Sequence, residues 1–304
     1  MSFPKETRND SNPSEIASGG EKEKSEKIKM LEGILKNAFV SLQKLSQKEG
    51  SQVIGKGEAF GDLDNDIEIQ ADVFLGQMIE NSLRENNFDC RLQIEGKEEI
   101  SIGISPEQHY VTVDPLDGSL NFAKKGKTLG LPFSCSVAIF SSPDKGECRF
   151  QDVEVAGCVD LRNGDLWSAE KGKGCFLNGE SCQTSGSTEV DLRKNILIGE
   201  MYYPENRELI CRIFKGERGW LRSLGSAAYE MSLVASGQVD TYICDRQKLD
   251  ILGMAYLMIK EAGGSVVDFD GNDLGTKEYV FHSQTPVVLA ATESLSSEIL
   301  ARMK

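Results

Sequence analysis

Val111-Thr112-Val113-Asp114-Pro115-Leu116-Asp117-Gly118-Ser119-Leu120-Asn121-Phe122 is the stretch on which the reading of the chain turns. A β-rich run from Tyr110 to Val113 ends at a carboxylate, and a turn through Pro115 brings a second carboxylate back three residues later. Gly118 and Ser119 then offer backbone N–H groups beside both acids. Carboxylates and a free main-chain carbonyl are hard oxygen ligands suited to Mg²⁺, and N–H groups exposed at a turn or helix start suit a phosphate. The same residues also make an ordinary Asx turn and helix cap, because Asp, Pro, Gly and Ser are all turn formers. What decides between these meanings lies elsewhere in the chain.

Three more acidic positions bear on it. Glu98-Glu99 lies upstream in a polar stretch that reads as a charged loop. Asp72 stands near the start of a helix predicted from Ala71 to about Arg84, with Phe74, Leu75, Met78, Ile79 and Leu83 on one face; an acid there complements the helix dipole. Asp250 opens a helix running to Ala262 and stopped by Gly263-Gly264, where it reads as an N-cap. Each has a plain structural meaning alone, and the combination points to a metal site.

Composition narrows the chemistry. The 304 residues carry 48 Asp plus Glu against 34 Lys plus Arg, a net charge of −14, and only His109 and His282 as histidines. An anionic surface repels phosphate backbones and acidic membranes, so neither a nucleic-acid partner nor a membrane partner is expected. A Ser-His-Asp triad or a His-rich zinc site would need one of two histidines that sit in no recognisable motif. With 39% hydrophobic and 27% charged residues the chain can bury a real core, and no apolar run approaches the roughly 20 residues of a membrane helix. The eight cysteines are scattered singly and read as reduced, mostly buried thiols, which fits a cytoplasmic protein.

The organisation has three parts. Residues 1–27 are Ser, Asn, Glu and Lys with almost no apolar content, and read as a disordered tail. Residues 28–188 read as an α+β domain. Ile28, Leu31, Leu35, Ala38, Phe39, Leu42 and Leu45 recur at helical spacing, an acidic, glycine-bearing loop spans Gly55 to Asp66, and strands at 134–140, 153–161, 165–170 and 174–177 form an antiparallel meander. Asn163-Gly164 and Asn178-Gly179 mark hairpin turns. Residues 189–304 alternate strands (196–201, 241–244, 265–269, 286–290) with helices (205–214, 226–235, 250–262 and from about 294), the grammar of an α/β domain.

Taken in order from about residue 30 to the end, the segments resemble the inositol monophosphatase family, part of the lithium-sensitive, Mg²⁺-dependent phosphatase superfamily that includes fructose-1,6-bisphosphatases. Asp114-Pro-Leu-Asp117-Gly-Ser119 is similar to its D-P-[IL]-D-G-[TS] signature and Glu98-Glu99 to its upstream acidic pair. Leu249-Asp250 with Glu261-Ala-Gly-Gly264 resembles its W-D…E-A-G-G segment, with Leu for Trp. Arg222-Ser-Leu-Gly225-Ser-Ala-Ala228 resembles R-x-x-G-[ST]-A-A, and Glu170-Lys-Gly-Lys-Gly174 with Asn178-Gly179 its K-G-x-G…N-G hairpin.

The resemblance implies an α/β fold layered as an α/β/α/β/α sandwich, a homodimer, and two or three Mg²⁺ per site. It implies metal ligation by Glu98, Asp114, the Leu116 carbonyl, Asp117 and Asp250, with Glu99 beside a further ion. Asp72 and the Ser119 hydroxyl would orient the attacking water, Gly118 and Ser119 would receive the phosphate, and Gly225, Ser226 and Ala227 would face the substrate. Where inositol-specific members carry a Glu that holds inositol hydroxyls, this chain reads Cys244-Asp245-Arg246-Gln247-Lys248, and Gly130-Leu-Pro-Phe-Ser134 is similar to archaeal enzymes accepting inositol monophosphate and fructose 1,6-bisphosphate. Arg246 and Lys248 suit a second anion better than a polyol. Ser119-Leu-Asn121-Phe122 departs from the D-G-T-K-E-F of 3′-phosphoadenosine phosphatases. The rival to a phosphatase of small polyol or sugar phosphates is a catalytically dead, metal- or phosphate-sensing module, against which stands a complete set of ligand acids.

Overall fold

The computed structural model describes residues 24–46, 53–56, 67–124, 130–141 and 147–304, with residues 46, 53–56 and 67–69 described through their backbone. The tail expected over 1–27 lies outside these residues apart from 24–27, and the loop expected over Gly55–Asp66 apart from 55–56. The first helix begins inside the expected tail. Helix α1 (Glu26–Ser46) buries Ile28, Leu31, Leu35, Ala38 and Leu42 along one stripe, each large side chain contributing about 1.5–3 kcal/mol of transfer free energy. Strands β1 (Val53–Lys56) and β2 (Ile67–Ile69) pair antiparallel. Helix α2 (Gln70–Glu85) buries Ala71, Leu75, Ile79 and Leu83; Phe74, expected on that face, is exposed.

Nine strands follow: β3 (Cys90–Ile94), β4 (Ile100–Ile102), β5 (His109–Asp117), β6 (Ser134–Ser141), β7 (Cys148–Arg149), β8 (Val153–Asp160), β9 (Leu166–Glu170), β10 (Gly174–Leu177) and β11 (Glu180–Cys182). A short helix α3 (Ser119–Lys124) follows β5. All but β7 join one sheet in the order β11-β10-β9-β8-β6-β5-β3-β4. The predicted meander is its β6 to β11 half, and the turn at Asn178-Gly179 has φ of 53° and 87°, positive at both positions as Asn-Gly favours. The unforeseen part is β3 and β4, with β3 parallel to β5.

The second half contains β12 (Ile196–Gly199), α4 (Pro204–Phe214), β13 (Trp220–Arg222), α5 (Ala227–Ala235), β14 (Thr241–Lys248), α6 (Leu249–Glu261), β15 (Ser265–Val267), β16 (Glu278–Tyr279), β17 (Gln284–Ala290) and α7 (Glu293–Met303). Its sheet runs β13-β12-β14-β17-β15, parallel on the β12 side and antiparallel around β17, while β16 pairs with β7.

Three apolar clusters define the layering. Helices α1 and α2 cover one face of the large sheet. Its other face packs on α5 and α6, which in turn pack on the second sheet, with Phe140, Trp167, Met231, Leu252 and Tyr242 in one cluster. Helices α4 and α7 close the far side of the second sheet. The result is an α/β/α/β/α sandwich whose central helices are apolar all round, as burial on both sides requires. Gly157 lets α1 lie on β8, since a Cβ there would meet Leu31 Cδ2 at 2.6 Å. Glu261, the last residue of α6, accepts the Gly172 and Gly174 N–H groups at 2.7 and 2.9 Å, so the segments Lys171–Gly174 and Glu261–Gly264 secure the central helix to the large sheet. All eight cysteines are free and six are buried. No described helix is long and apolar enough to cross a membrane.

Candidate metal centre

The register of two parallel strands creates the centre. Ile94 of β3 lies beside Val113 of β5, and the Glu95 N–H donates to the Val113 carbonyl at 2.9 Å, so Glu95 and Asp114 leave the sheet as neighbours. Asp250 reaches them from the first turn of α6, which is fixed where Leu249 N–H donates to the Ser283 carbonyl at 3.0 Å and Tyr279 Oη donates to the Leu249 carbonyl at 2.6 Å. One carboxylate oxygen from each of Glu95, Asp114 and Asp250 lies within 4.8 Å of the other two. Asp114 and Asp250 are only 4% and 6% exposed. Burial, and then the charges of Glu95, Asp117, Asp250 and Asp72, push Asp114 well above the usual carboxylate range; Asp250 is raised the same way, by burial and then Glu95, against the opposing charge of Lys248.

The upstream acidic pair stands apart from this cluster. Glu98 and Glu99 are exposed on the β3–β4 turn, and Glu99 pairs with Arg91 at 3.6 Å instead of joining the cluster. Glu95 is the acid of this stretch that meets Asp114 and Asp250. The sequence carried a signal, since Cys90-Arg-Leu-Gln-Ile94 is a strand-like run ending at an acid, but the double glutamate drew attention three residues too far.

Strand β5 does not stop at Asp114. It continues to Asp117 through a bulge in its pairing with β6, and within that bulge Asp114 Oδ1 accepts the Leu116 N–H at 3.0 Å. Asp117 turns one oxygen toward α5, where Oδ2 accepts Ser226 Oγ at 2.6 Å, Ala228 N–H at 2.8 Å and Ser134 Oγ at 3.4 Å. Burial raises Asp117 to about 6, and the bonds from Ser226 and Ala228 oppose a larger rise. Gly118 has φ of 86°, and a Cβ there would lie 3.0 Å from the Pro132 carbonyl and 3.1 Å from that of Gly225, so glycine is required. Asn121 completes the junction, its Nδ2 donating to the Pro132 and Leu224 carbonyls at 2.7 and 2.8 Å.

The remaining positions divide. Asp72 and Ser119 are brought together: Ser119 Oγ lies 3.4 Å from Asp72 Oδ1 and donates more closely to the Leu116 carbonyl, at 2.8 Å. Gly225 is exposed and Ala227 half-buried, but Ser226 has no exposed surface and directs its hydroxyl to Asp117 and Ser134. Arg246 is exposed, with its guanidinium 5.3 Å from the Tyr203 ring centroid and 3.9 Å from Asp245. Lys248, read with Arg246 as an anion holder, instead places Nζ 2.9 Å from Glu95 Oε1. Two further residues shape the neighbourhood without having been singled out in the sequence. Buried Glu230 accepts the Leu224 N–H, and the Gly225 N–H at 3.3 Å, with its own carboxyl raised by burial to about 8. Burial lowers His282, which feels the opposing charges of Glu95 and Lys248.

Two buried carboxylates and a half-buried one converging on one point form a donor set that fits a hard divalent cation. Comparison with known proteins identifies the family. The profile of the inositol monophosphatase family matches residues 24–303. A fructose-1,6-bisphosphatase/inositol-1-monophosphatase of Archaeoglobus fulgidus is 30% identical over 226 residues, 71% of this chain and 80% of that protein. Its counterpart in Methanothermobacter thermautotrophicus is 31% identical over 63% of this chain and 66% of its own length, and human inositol monophosphatase 1 is 29% identical over 68% and 71%. Among solved structures, the extragenic suppressor protein suhB of Bartonella henselae superposes with a TM-score of 0.74 at 24% identity, covering 92% of this chain and 99% of that one. By its profile match, its layered fold and the convergence of its carboxylates, the chain belongs to the inositol monophosphatase family of phosphatases.

Proposed function

We propose that the protein is a Mg²⁺-dependent phosphomonoesterase acting on a small polyol or sugar phosphate, with inositol 1-phosphate and fructose 1,6-bisphosphate as the first candidates. The observation that carries this is the meeting of Glu95, Asp114 and Asp250 within 4.8 Å in a largely buried site, which repels itself unless a cation is present. Glu95 and Asp114 would hold one ion with the Leu116 carbonyl; Asp114, Asp250 and the second oxygen of Asp117 would hold another. Divalent ions in such sites lower the pKa of water, align it with the leaving oxygen and take up charge on the phosphoryl oxygens.

The chain's own residues do the positioning. Asp72 would accept a hydrogen bond from the attacking water, and the Ser119 hydroxyl, donating to the Leu116 carbonyl, keeps lone pairs turned to the same water. Gly118 and Ser119 N–H groups would receive the phosphate. Ser226 and Ala228 hold Asp117 in place from the second half, so the site is assembled only when both halves meet. Arg246, on the exposed side, is the candidate for a second phosphate. Cytoplasmic residence and a homodimer belong to the same proposal and rest on the resemblance.

The test is release of inorganic phosphate from inositol 1-phosphate and fructose 1,6-bisphosphate with and without Mg²⁺, on the wild type and Arg246→Ala. The expected result is Mg²⁺-dependent release, with Arg246→Ala losing bisphosphate turnover selectively. No release from either ester, or from a generic aryl phosphate, would remove the proposal and favour a binding module.

A further inference from the structure

Lys248 joins the two halves of the molecule at the carboxylate cluster. It is the last residue of β14, pairs in register with Gln284 of β17, and directs its ammonium out of the second sheet to a carboxylate at the end of a strand in the first. Its Nζ lies 2.9 Å from Glu95 Oε1, in a pair whose side chains are 30% and 32% exposed. Its charge also reaches Asp250, on which it acts against the rise caused by burial. Thus one lysine pairs with one of the three acids that converge there and acts on a second through its charge.

We propose that Lys248 is the resident counter-cation of this site: its ammonium balances Glu95 and Asp250 in the metal-free protein, and a divalent ion binds against it. Two consequences follow from Coulomb's law at short range. Without metal, the tethered charge offsets repulsion among Glu95, Asp114 and Asp250 and keeps β3, β5 and α6 together across the two sheets. With metal, a divalent ion must either displace the ammonium from Glu95 or bind beside a positive charge, so loading is weakened and shifted to a higher Mg²⁺ concentration. Lys248 is therefore a positioning residue that sets the cation threshold, and it is not counted among the groups that touch substrate. This rests on the metal-dependent reading of the same site.

The experiment is calorimetric titration of the full chain with MgCl₂, without substrate, together with thermal melting in chelator and in saturating Mg²⁺. Lys248→Met and Lys248→Gln are compared with wild type and with Lys260→Met, which removes an equal charge from the Asp273 pair outside the cluster. The expected result is Mg²⁺ binding at least about tenfold tighter in both Lys248 variants, a lower melting temperature in chelator, a larger rise on adding Mg²⁺, and wild-type affinity in Lys260→Met. Unchanged or weaker Mg²⁺ binding in the Lys248 variants would overturn the proposal, as would an equal gain in Lys260→Met, which would reduce the effect to net charge. A wild type that binds no Mg²⁺ would remove the metal reading and the proposal with it; a wild type that binds, with Lys248 variants no tighter, removes the proposal alone.

Discussion

Glu95 and the pair Glu98-Glu99 are separated by two residues, carry the same charge, and live in different solvents. Glu95 leaves the end of β3 beside Asp114 of β5, half-buried and facing two more acids. Glu98 and Glu99 ride the turn to β4, exposed, with Glu99 paired to Arg91 at the surface, where such a pair is worth little. The difference lies in where the strand stops. A carboxylate joins the acidic cluster here because hydrogen-bonded register brings it to the same end of the sheet as another, and local acidity does not predict it.

The largest effect expected is at the buried end of that contrast. Asp114→Asn should lower Mg²⁺-dependent phosphate release by more than about a thousandfold, because the acid common to both proposed ion sites loses its charge. In chelator the same variant should melt higher than wild type, since burial and the neighbouring acids disfavour the charged form of Asp114; a lower melting point would mean that the metal-free cluster is not under electrostatic strain. Next comes Ser226→Ala, which removes the 2.6 Å bond to Asp117 and leaves Ala228 N–H in place. A loss of about tenfold in kcat/KM is expected, in line with the ~1.5–3 kcal/mol of a hydrogen bond to a charged group. Full activity would mean that Asp117 needs no support from the second half.

A smaller effect concerns stability alone. Burial lifts Glu230 to about 8, above its value in the unfolded chain, so the folded protein keeps a proton that the unfolded chain releases. This contribution to stability is fully present below about pH 4.5, declines as pH rises toward 8 by at most about 1.4 kcal/mol per unit, and is level beyond. Glu230→Gln, an isostere of the neutral acid able to accept the same Leu224 and Gly225 N–H groups, should remove that decline. Urea midpoints at pH 5 and pH 8 for variant and wild type measure it, and parallel pH profiles would contradict the assignment. The smallest effect is at the exposed end, where the double change Glu98→Gln and Glu99→Gln should alter kcat/KM by less than about twofold.

Much of this was legible in the sequence because it depends on local rules. The stripe of α1 follows helical spacing, the Asn178-Gly179 turn needs two positive φ angles, and Asp114, Asp117 and Asp250 stand in segments that resemble the family's signatures. What escaped depends on partners distant in sequence. Cys90–Ile94 is not among the strands expected from the sequence, yet it is buried because α2 covers one face, and its parallel pairing to β5 is invisible locally. The same blindness hid Lys248, whose partner Glu95 is 153 positions away, and gave Ser226 to the substrate when Asp117, 109 positions away, takes its hydroxyl. Phe74 matched the apolar face of α2 by spacing but is exposed among the described residues.

The central claim is that Glu95, and neither Glu98 nor Glu99, completes the cation site with Asp114 and Asp250. Calorimetric titration of MgCl₂ into Glu95→Gln and into the Glu98→Gln, Glu99→Gln double variant tests it most directly. The account predicts that Glu95→Gln loses Mg²⁺ affinity by about a hundredfold or more while the double variant binds within about twofold of wild type. Retained affinity in Glu95→Gln, or loss in the double variant, would contradict it.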